Sequence, residues 1–284
     1  MSVYCFSGHE SFACKTLWLK KGYDFAIRGG DFNAADAVIK LGVGKNMVAS
    51  IKYWTRVCGL MDNEWWMGRY LFDEIIGRDK YLEDIATLWL IHFYLCFRNE
   101  ATLYNYFYCF FQKEREVFEK EHIVNGINYY LSENGKSDII SGNTINKDID
   151  VLLRNYVLPR KPQSNEDFSS LFIDLDLLRM KENGTEYYFN HDGKRAVPDE
   201  VFMHALMLLH EQMGDESISC DDIHNKIATI FCMTKIETIE MLKRLSERYR
   251  KHMAYSEEAG IRQVQFVGQM TLDTPLNNYY RGNI

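Results

Sequence analysis

The chain contains no Cys-x-x-Cys pair. Its seven cysteines, at positions 5, 14, 58, 96, 109, 220 and 232, are odd in number and widely scattered. A zinc ribbon therefore lacks its ligand spacing, and a disulfide framework lacks its even count. Buried free thiols of a reducing compartment are the expectation. Also missing from MSVYCFSGHESF is the basic stretch and apolar run of a secretory leader. The longest apolar stretch, Ala86–Phe97, contains His92 and is too short to span a bilayer. These absences point to a cytoplasmic protein. An excess of positive charge is lacking too: the formal net charge is -7. That argues against a protein coating nucleic acid over its whole surface, yet leaves local basic patches open. There is no low-complexity tract and no clean repeat.

What is present suffices for real cores. The chain has 284 residues, of which 46% are hydrophobic and 14% aromatic. The patterning predicts a mainly α protein with small β-hairpins, in which winged-helix or helix-turn-helix units surround a central helical core. Three segments are expected: 1–76, 77–160 with a second helix-turn-helix-like stretch, and 161–284.

The first unit reads as a helix over Ala34–Leu41, a turn at Gly42 and Gly44, and a second helix over Asn46–Cys58 capped by Asn46. Met47, Ile51 and Trp54 share one face of that helix. Lys45, Lys52, Tyr53 and Arg56 share the other, and no acid occurs between Val38 and Met61. A basic, acid-free helix after a turn is suited to phosphate or groove contact, so Lys45, Asn46, Lys52, Tyr53 and Arg56 are the candidate DNA-binding residues. Leu60–Leu71 is expected to hold a short hairpin, the wing.

The second unit places a helix over Ile127–Leu131, a turn over Ser132–Asn143, and a helix capped by Thr144 with Ile145, Ile149, Leu152, Leu153 and Tyr156 inward. The third opens with Pro198 in a first turn. It continues through Asp221–Phe231 to a capping box at Thr234–Glu237 and ends in a hairpin of Met253–Tyr255 and Ile261–Phe266. Pro159–Glu166 reads as a linker, and Leu171–Phe189 as short strands turning at Asn183-Gly184. Apolar residues run all round the Gly77–Gln112 block, as in a core helix.

Chemistry-bearing constellations are sparse. Gly42-Val-Gly-Lys45 lacks the glycine and the Ser/Thr of a phosphate loop, for Ile39 and Asn46 stand there. His9-Glu10 could serve as ligands or as an acid/base pair, or could hydrogen-bond its own segment. Glu83-Asp84 suits the positive end of a helix, with magnesium binding as the alternative. Asp148/Asp150 and Asp174/Asp176 suggest only a capped helix and a strand face.

FSGHESFACKTLWLKKGYD (6–24), LGVGKNMVASIKYW (41–54), KYLEDIATLWLIH (80–92), NTINKDIDVLLRNY (143–156) and AGIRQVQF (259–266) together resemble a bacterial family encoded beside DNA phosphorothioation genes. The resemblance spans nearly the whole chain. It implies a Mg²⁺-dependent DNA nickase acting on double-stranded DNA. The implied partners are a cysteine desulfurase, an ATP-dependent sulfur-transfer enzyme and an ATPase, which together place sulfur in the backbone. The shared motifs include His9, Glu10, Lys15, Lys21, Glu83 and Asp84. On this reading Glu10, Glu83 and Asp84 are candidate metal ligands, His9 the base, and Lys15 or Lys21 the phosphate-neutralising cation. A non-catalytic DNA-binding adaptor or regulator is the competing expectation.

Overall fold

The computed structural model describes residues 4–62, 65–136, 140–159 and 170–282. It divides into two compact units, Met1–Asn190 and His191–Ile284. The expected segments 1–76 and 77–160 therefore fall within one unit. In that unit an extended N-terminal stretch leads to α1 (Trp18–Ile27), α2 (Ala37–Leu41), α3 (Lys45–Val57) and α4 (Trp66–Phe72). After these come α5 (Ile85–Phe97), α6 (Thr102–Tyr106), a wide π turn at Phe107–Phe111, and α7 (Gln112–Glu114). The unit closes with β1 (Val117–Phe118), α8 (Lys120–Glu133), α9 (Gly142–Tyr156), β2 (Leu178–Met180) and β3 (Tyr187–Phe189).

Its centre is α5, where every residue from Ala86 to Cys96 is buried. A helix apolar on all sides can only be a core element. Against it lies an aromatic cluster in which His92 Nδ1 bonds the Tyr156 hydroxyl at 2.8 Å. Helix α1 crosses α3 closely at Gly22, where an added Cβ would lie 2.0 Å from Thr55 Oγ1. The β2–β3 hairpin turns at Gly184, as the Asn-Gly pair predicts, and β1 adds to it in the order β1-β3-β2.

The N-terminal stretch is fastened to distant parts of this unit. Cys5 N donates to Thr102 Oγ1 at 2.8 Å, Cys14 N to Asn155 Oδ1 at 2.8 Å, and Leu171 N to the Cys14 carbonyl at 2.8 Å. These bonds are why the first 76 residues do not stand alone.

Several local expectations shift. The hairpin anticipated over Leu60–Leu71 is replaced, over its described part, by α4. Met67 and Leu71 are four residues apart, both are fully buried, and they hold that segment helical. Helix α3 starts one residue early with Gly44 at its N-cap, so Asn46 lies within the first turn and caps nothing. Helix α9 is capped by Ser141, whose hydroxyl accepts from Thr144 N, not by Thr144. The inward stripe from Ile145 to Tyr156 is buried as predicted. The expected turn Ser132–Asn143 and linker Pro159–Glu166 lie partly outside the described residues.

The second unit runs α10 (Asp199–Met213), β4 (Ser217–Ser219), α11 (Cys220–Ile223) with a wide turn to Ala228, α12 (Lys235–Arg248), β5 (Met253–Glu258), β6 (Ile261–Phe266) and α13 (Asp273–Gly282). Its antiparallel sheet has the order β4-β6-β5. The Thr234–Glu237 capping box is present, with Glu237 N donating to Thr234 Oγ1 at 3.2 Å and Thr234 N to Glu237 Oε2 at 2.9 Å. Ala259 and Gly260, both at positive φ, make the tight turn between β5 and β6.

Candidate nucleic-acid interface

The FSGHESF segment is wound into an unusual turn. Ser7, Gly8, Glu10 and Ser11 all have positive φ. For non-glycine residues that conformation costs about 1–3 kcal/mol each and persists only when the surroundings impose it. The imposing groups are visible. Asp148 on α9 is 5% exposed and accepts from Ser7 N at 2.8 Å through one carboxylate oxygen. Its other oxygen meets His9 Nε2 at 2.9 Å. His9 Nδ1 accepts from Ser11 N at 3.2 Å, which places the ring proton on Nε2, facing Asp148. Arg154, also on α9, donates to the Ser11 carbonyl at 2.8 Å, and Trp54 Nε1 to the Phe12 carbonyl at 3.1 Å.

His9 is thus 3% exposed, stacked near Trp54, and engaged at both ring nitrogens. Its evident work is to hold the turn, which leaves no free nitrogen for the expected base. Glu10 is exposed, in contrast, and lines a cleft of about 800 Å³ beside α3.

Lys45, Lys52 and Arg56 line that same cleft. They fall on one stripe of α3 because offsets of seven and eleven residues return almost to the starting angle of a 3.6-residue helix. Lys52 Nζ donates to Asn33 Oδ1 at 3.3 Å, and Arg56 lies 3.6 Å from Cys5 Sγ. Among the described residues no carboxylate pairs with any of the three. Tyr53 is only 6% exposed, its ring meeting His9 edge-on, and burial pushes its hydroxyl well above the usual pKa. It is a wall of the cleft and not the free contact that the sequence suggested. Phe32, Ala34, Ala35, Ala37 and Val38, together with Val48 of α3, add apolar lining, and Asn33 lies among them. Asn46 is exposed on the first turn and does not line the cleft.

The remaining expected residues lie elsewhere. Lys21 Nζ donates to the Leu41 carbonyl at 3.1 Å, where it complements the C-terminal end of α2. Lys15 sits over the Trp18 ring at 5.5 Å. Neither lines the α3 cleft. Asp84 caps α5 by accepting from Ala86 N at 2.8 Å, and Asp79 accepts from both Glu83 N and Asp84 N. Among the described residues no three metal-ligating side chains are gathered, so Glu10, Glu83 and Asp84 do not make one cage. Asp148 was set aside in the sequence as an ordinary helix acid. Its signal was its register, for it lies on the same buried stripe as Ile145 and Leu152.

Helix α12 in the second unit carries four cations, and each has a carboxylate partner. Lys235 pairs with Asp221 at 2.7 Å, Lys243 with Glu257 at 3.8 Å, and Arg244 with Asp199 at 2.9 Å. Arg248 pairs with Asp199 and Glu200. Among the described residues no helix is long and apolar enough to cross a membrane.

Residues 6–280 match the sequence profile of DUF4007, a protein family of unknown function. Two solved structures share the fold. A magnesium ion-bound SspB crystal structure has a TM-score of 0.81 and 24% identity, covering 98% of this chain and 88% of that one. An SspB crystal structure at 25% identity gives the same TM-score and coverage. No curated protein shows a significant match.

Proposed function

The chain belongs to the DUF4007 family, and from that premise we propose that it is an SspB-like, DNA-binding nicking endonuclease of a phosphorothioation defence system. The observation that carries this reading is the α3 cleft, which three cations without a carboxylate ion pair among the described residues share with the exposed Glu10. Phosphate is the anion such a stripe is built to neutralise. The contrast with α12 supports assigning the grip to α3. The second unit has the helix-and-hairpin order of a winged helix, but the cations of its third helix already have carboxylate partners.

One of the similar SspB structures is magnesium-bound. Magnesium needs only one or two carboxylates when waters and phosphate oxygens complete its shell. Glu10 fits that demand: it is exposed, and no ion pair consumes it among the described residues. Asp84, committed to its cap, does not. When bound, the ion supplies an activated water and neutralises charge on the phosphate. The chain's own groups do the rest. Lys45, Lys52 and Arg56 hold the backbone, and the Asp148–His9 pair fixes the turn that presents Glu10. Partner enzymes of sulfur transfer would act on the nicked strand.

The test measures binding and cutting separately. Lys52→Ala/Arg56→Ala should weaken DNA binding about tenfold or more in fluorescence anisotropy, since charge-assisted contacts are worth ~1.5–3 kcal/mol each. Unchanged affinity would remove α3 from the interface. Glu10→Ala should bind DNA normally yet nick supercoiled plasmid about a hundredfold more slowly, losing several kcal/mol of metal-supplied stabilisation. A purified protein that shifts plasmid but never nicks it with Mg²⁺ or Mn²⁺ is an adaptor instead.

A further inference from the structure

Helix α3 is a poor shape for insertion into a DNA groove. A reading helix is itself ~10–12 Å across and fills a major groove ~12 Å wide, so it must stand clear of its domain. In α3, Val48, Ser50, Ile51, Tyr53, Trp54, Thr55 and Val57 are all buried. From Ser50 to Val57 only Lys52 and Arg56 escape burial. The stripe of Lys45, Ala49, Lys52 and Arg56 lines one wall of a hollow.

The hollow has two kinds of surface. The cations Lys45, Lys52 and Arg56 line it from α3, Phe32 and Val38 line it from the stretch that leads into and begins α2, and Glu10 lines it from the N-terminal turn. Ala49 lies on the α3 stripe between Lys45 and Lys52, exposed and small, and leaves room there. Phe32 is held in place by Phe25, its ring edge-on at 4.8 Å, as part of a small cluster with Ala37, Leu41 and Val48. A volume of about 800 Å³ lies within the usual range for an organic ligand. To use both surfaces, an occupant presents an anion to the cations and a flat apolar face to the apolar lining. A phosphate alone leaves the apolar lining unused, and an apolar ring alone leaves three cations unmatched. One nucleotide of a strand satisfies both.

We propose that this cleft receives a single nucleotide turned out of the base stack, its base against Phe32 and Val38 and its phosphate on Lys45, Lys52 and Arg56. The inference rests on the DNA reading above and narrows it, because the substrate becomes a locally opened strand instead of an intact groove. Proteins that take a base from the stack favour sites where unpairing has already been done. The cleft should therefore select unpaired nucleotides.

The probe is a 2-aminopurine oligonucleotide, offered to the full chain as a perfect duplex and as the same duplex with that base unpaired. The unpaired form should bind about tenfold more tightly or better, with a rise in 2-aminopurine fluorescence as the base leaves its neighbours. Ala49→Leu should abolish both the preference and the fluorescence rise. Ala35→Leu fills the hollow from the stretch before α2 and should do the same, which guards against a fault in α3 itself. Equal binding of the two duplexes overturns the pocket, as does preference retained in both filled variants. A free deoxynucleoside monophosphate that binds as tightly as the oligonucleotide overturns the strand as its source. These failures leave the DNA reading intact if Lys52→Ala/Arg56→Ala still loses affinity. If that variant binds every DNA normally, the broader reading falls instead.

Discussion

At Gly8 one absent Cβ decides the geometry of the turn. Its φ is +97, and an added Cβ would lie 2.6 Å from Tyr53 Cδ2. The conformation and the contact exclude a side chain independently. Gly8→Ala should destabilise the fold by about 2 kcal/mol or more in urea titration and slow any reaction that depends on Glu10. A stability change within a few tenths of a kcal/mol would show that the turn yields easily. The same residues mark what the sequence revealed at this scale. His9-Glu10 stands out as a chemically capable pair in FSGHESF, but which member faces solvent is decided by an acceptor 139 residues away. Local pattern carries no information about that distance. Lys52 and Arg56 were legible because exposure and charge follow directly from helical period.

Elements were legible where local chemistry settles them. The Thr234–Glu237 box, the Asn-Gly hairpin and the all-apolar α5 are each written in a few adjacent residues. Glu83-Asp84, likewise, proved to serve a helix start. Where two local rules compete, packing chooses: Leu60–Leu71 has hairpin-like composition, yet burial of Met67 and Leu71 makes α4. Helix α10 carries a pH dependence that no pattern announces. His204 is fully buried, its Nδ1 bonded to the Leu272 carbonyl at 2.7 Å, and burial lowers its pKa to about 4. An unfolded histidine titrates near 6.5. The folded state thus resists a proton that the unfolded state accepts, so stability is full above pH 6.5 and declines as pH falls from there to about 4. The loss is on the order of 3 kcal/mol at the acid end. His204→Gln should flatten that part of the pH–stability curve, and an unchanged curve would assign the acid lability to other groups.

At the scale of the whole molecule, net charge misleads about binding. The chain is acidic overall, at -7, but Lys45, Lys52 and Arg56 share one hollow. With three phosphate contacts, the logarithm of affinity for a single strand should fall against the logarithm of salt with a slope of about -2, since each contact contributes ~0.7. Removing Lys52 and Arg56 should bring it near -0.7 by the same rule. A wild-type slope near zero would mean that phosphate contact is not what holds the DNA. Division of the chain into units was the least legible feature. Boundaries at residues 76 and 160 were expected, but the bonds of Cys5, Ser7, His9 and Cys14 to α6 and α9 tie the first two stretches into one unit.

Those bonds also set an order of events during synthesis. Ser7 and His9 are made long before Asp148 exists, and at ~5–20 residues per second the wait is roughly 7–28 s. Throughout it, the positive-φ turn has nothing to impose it, and Glu10 is not held against α3. A nascent or prematurely ended chain lacking α9 carries the cationic helix without the arranged carboxylate.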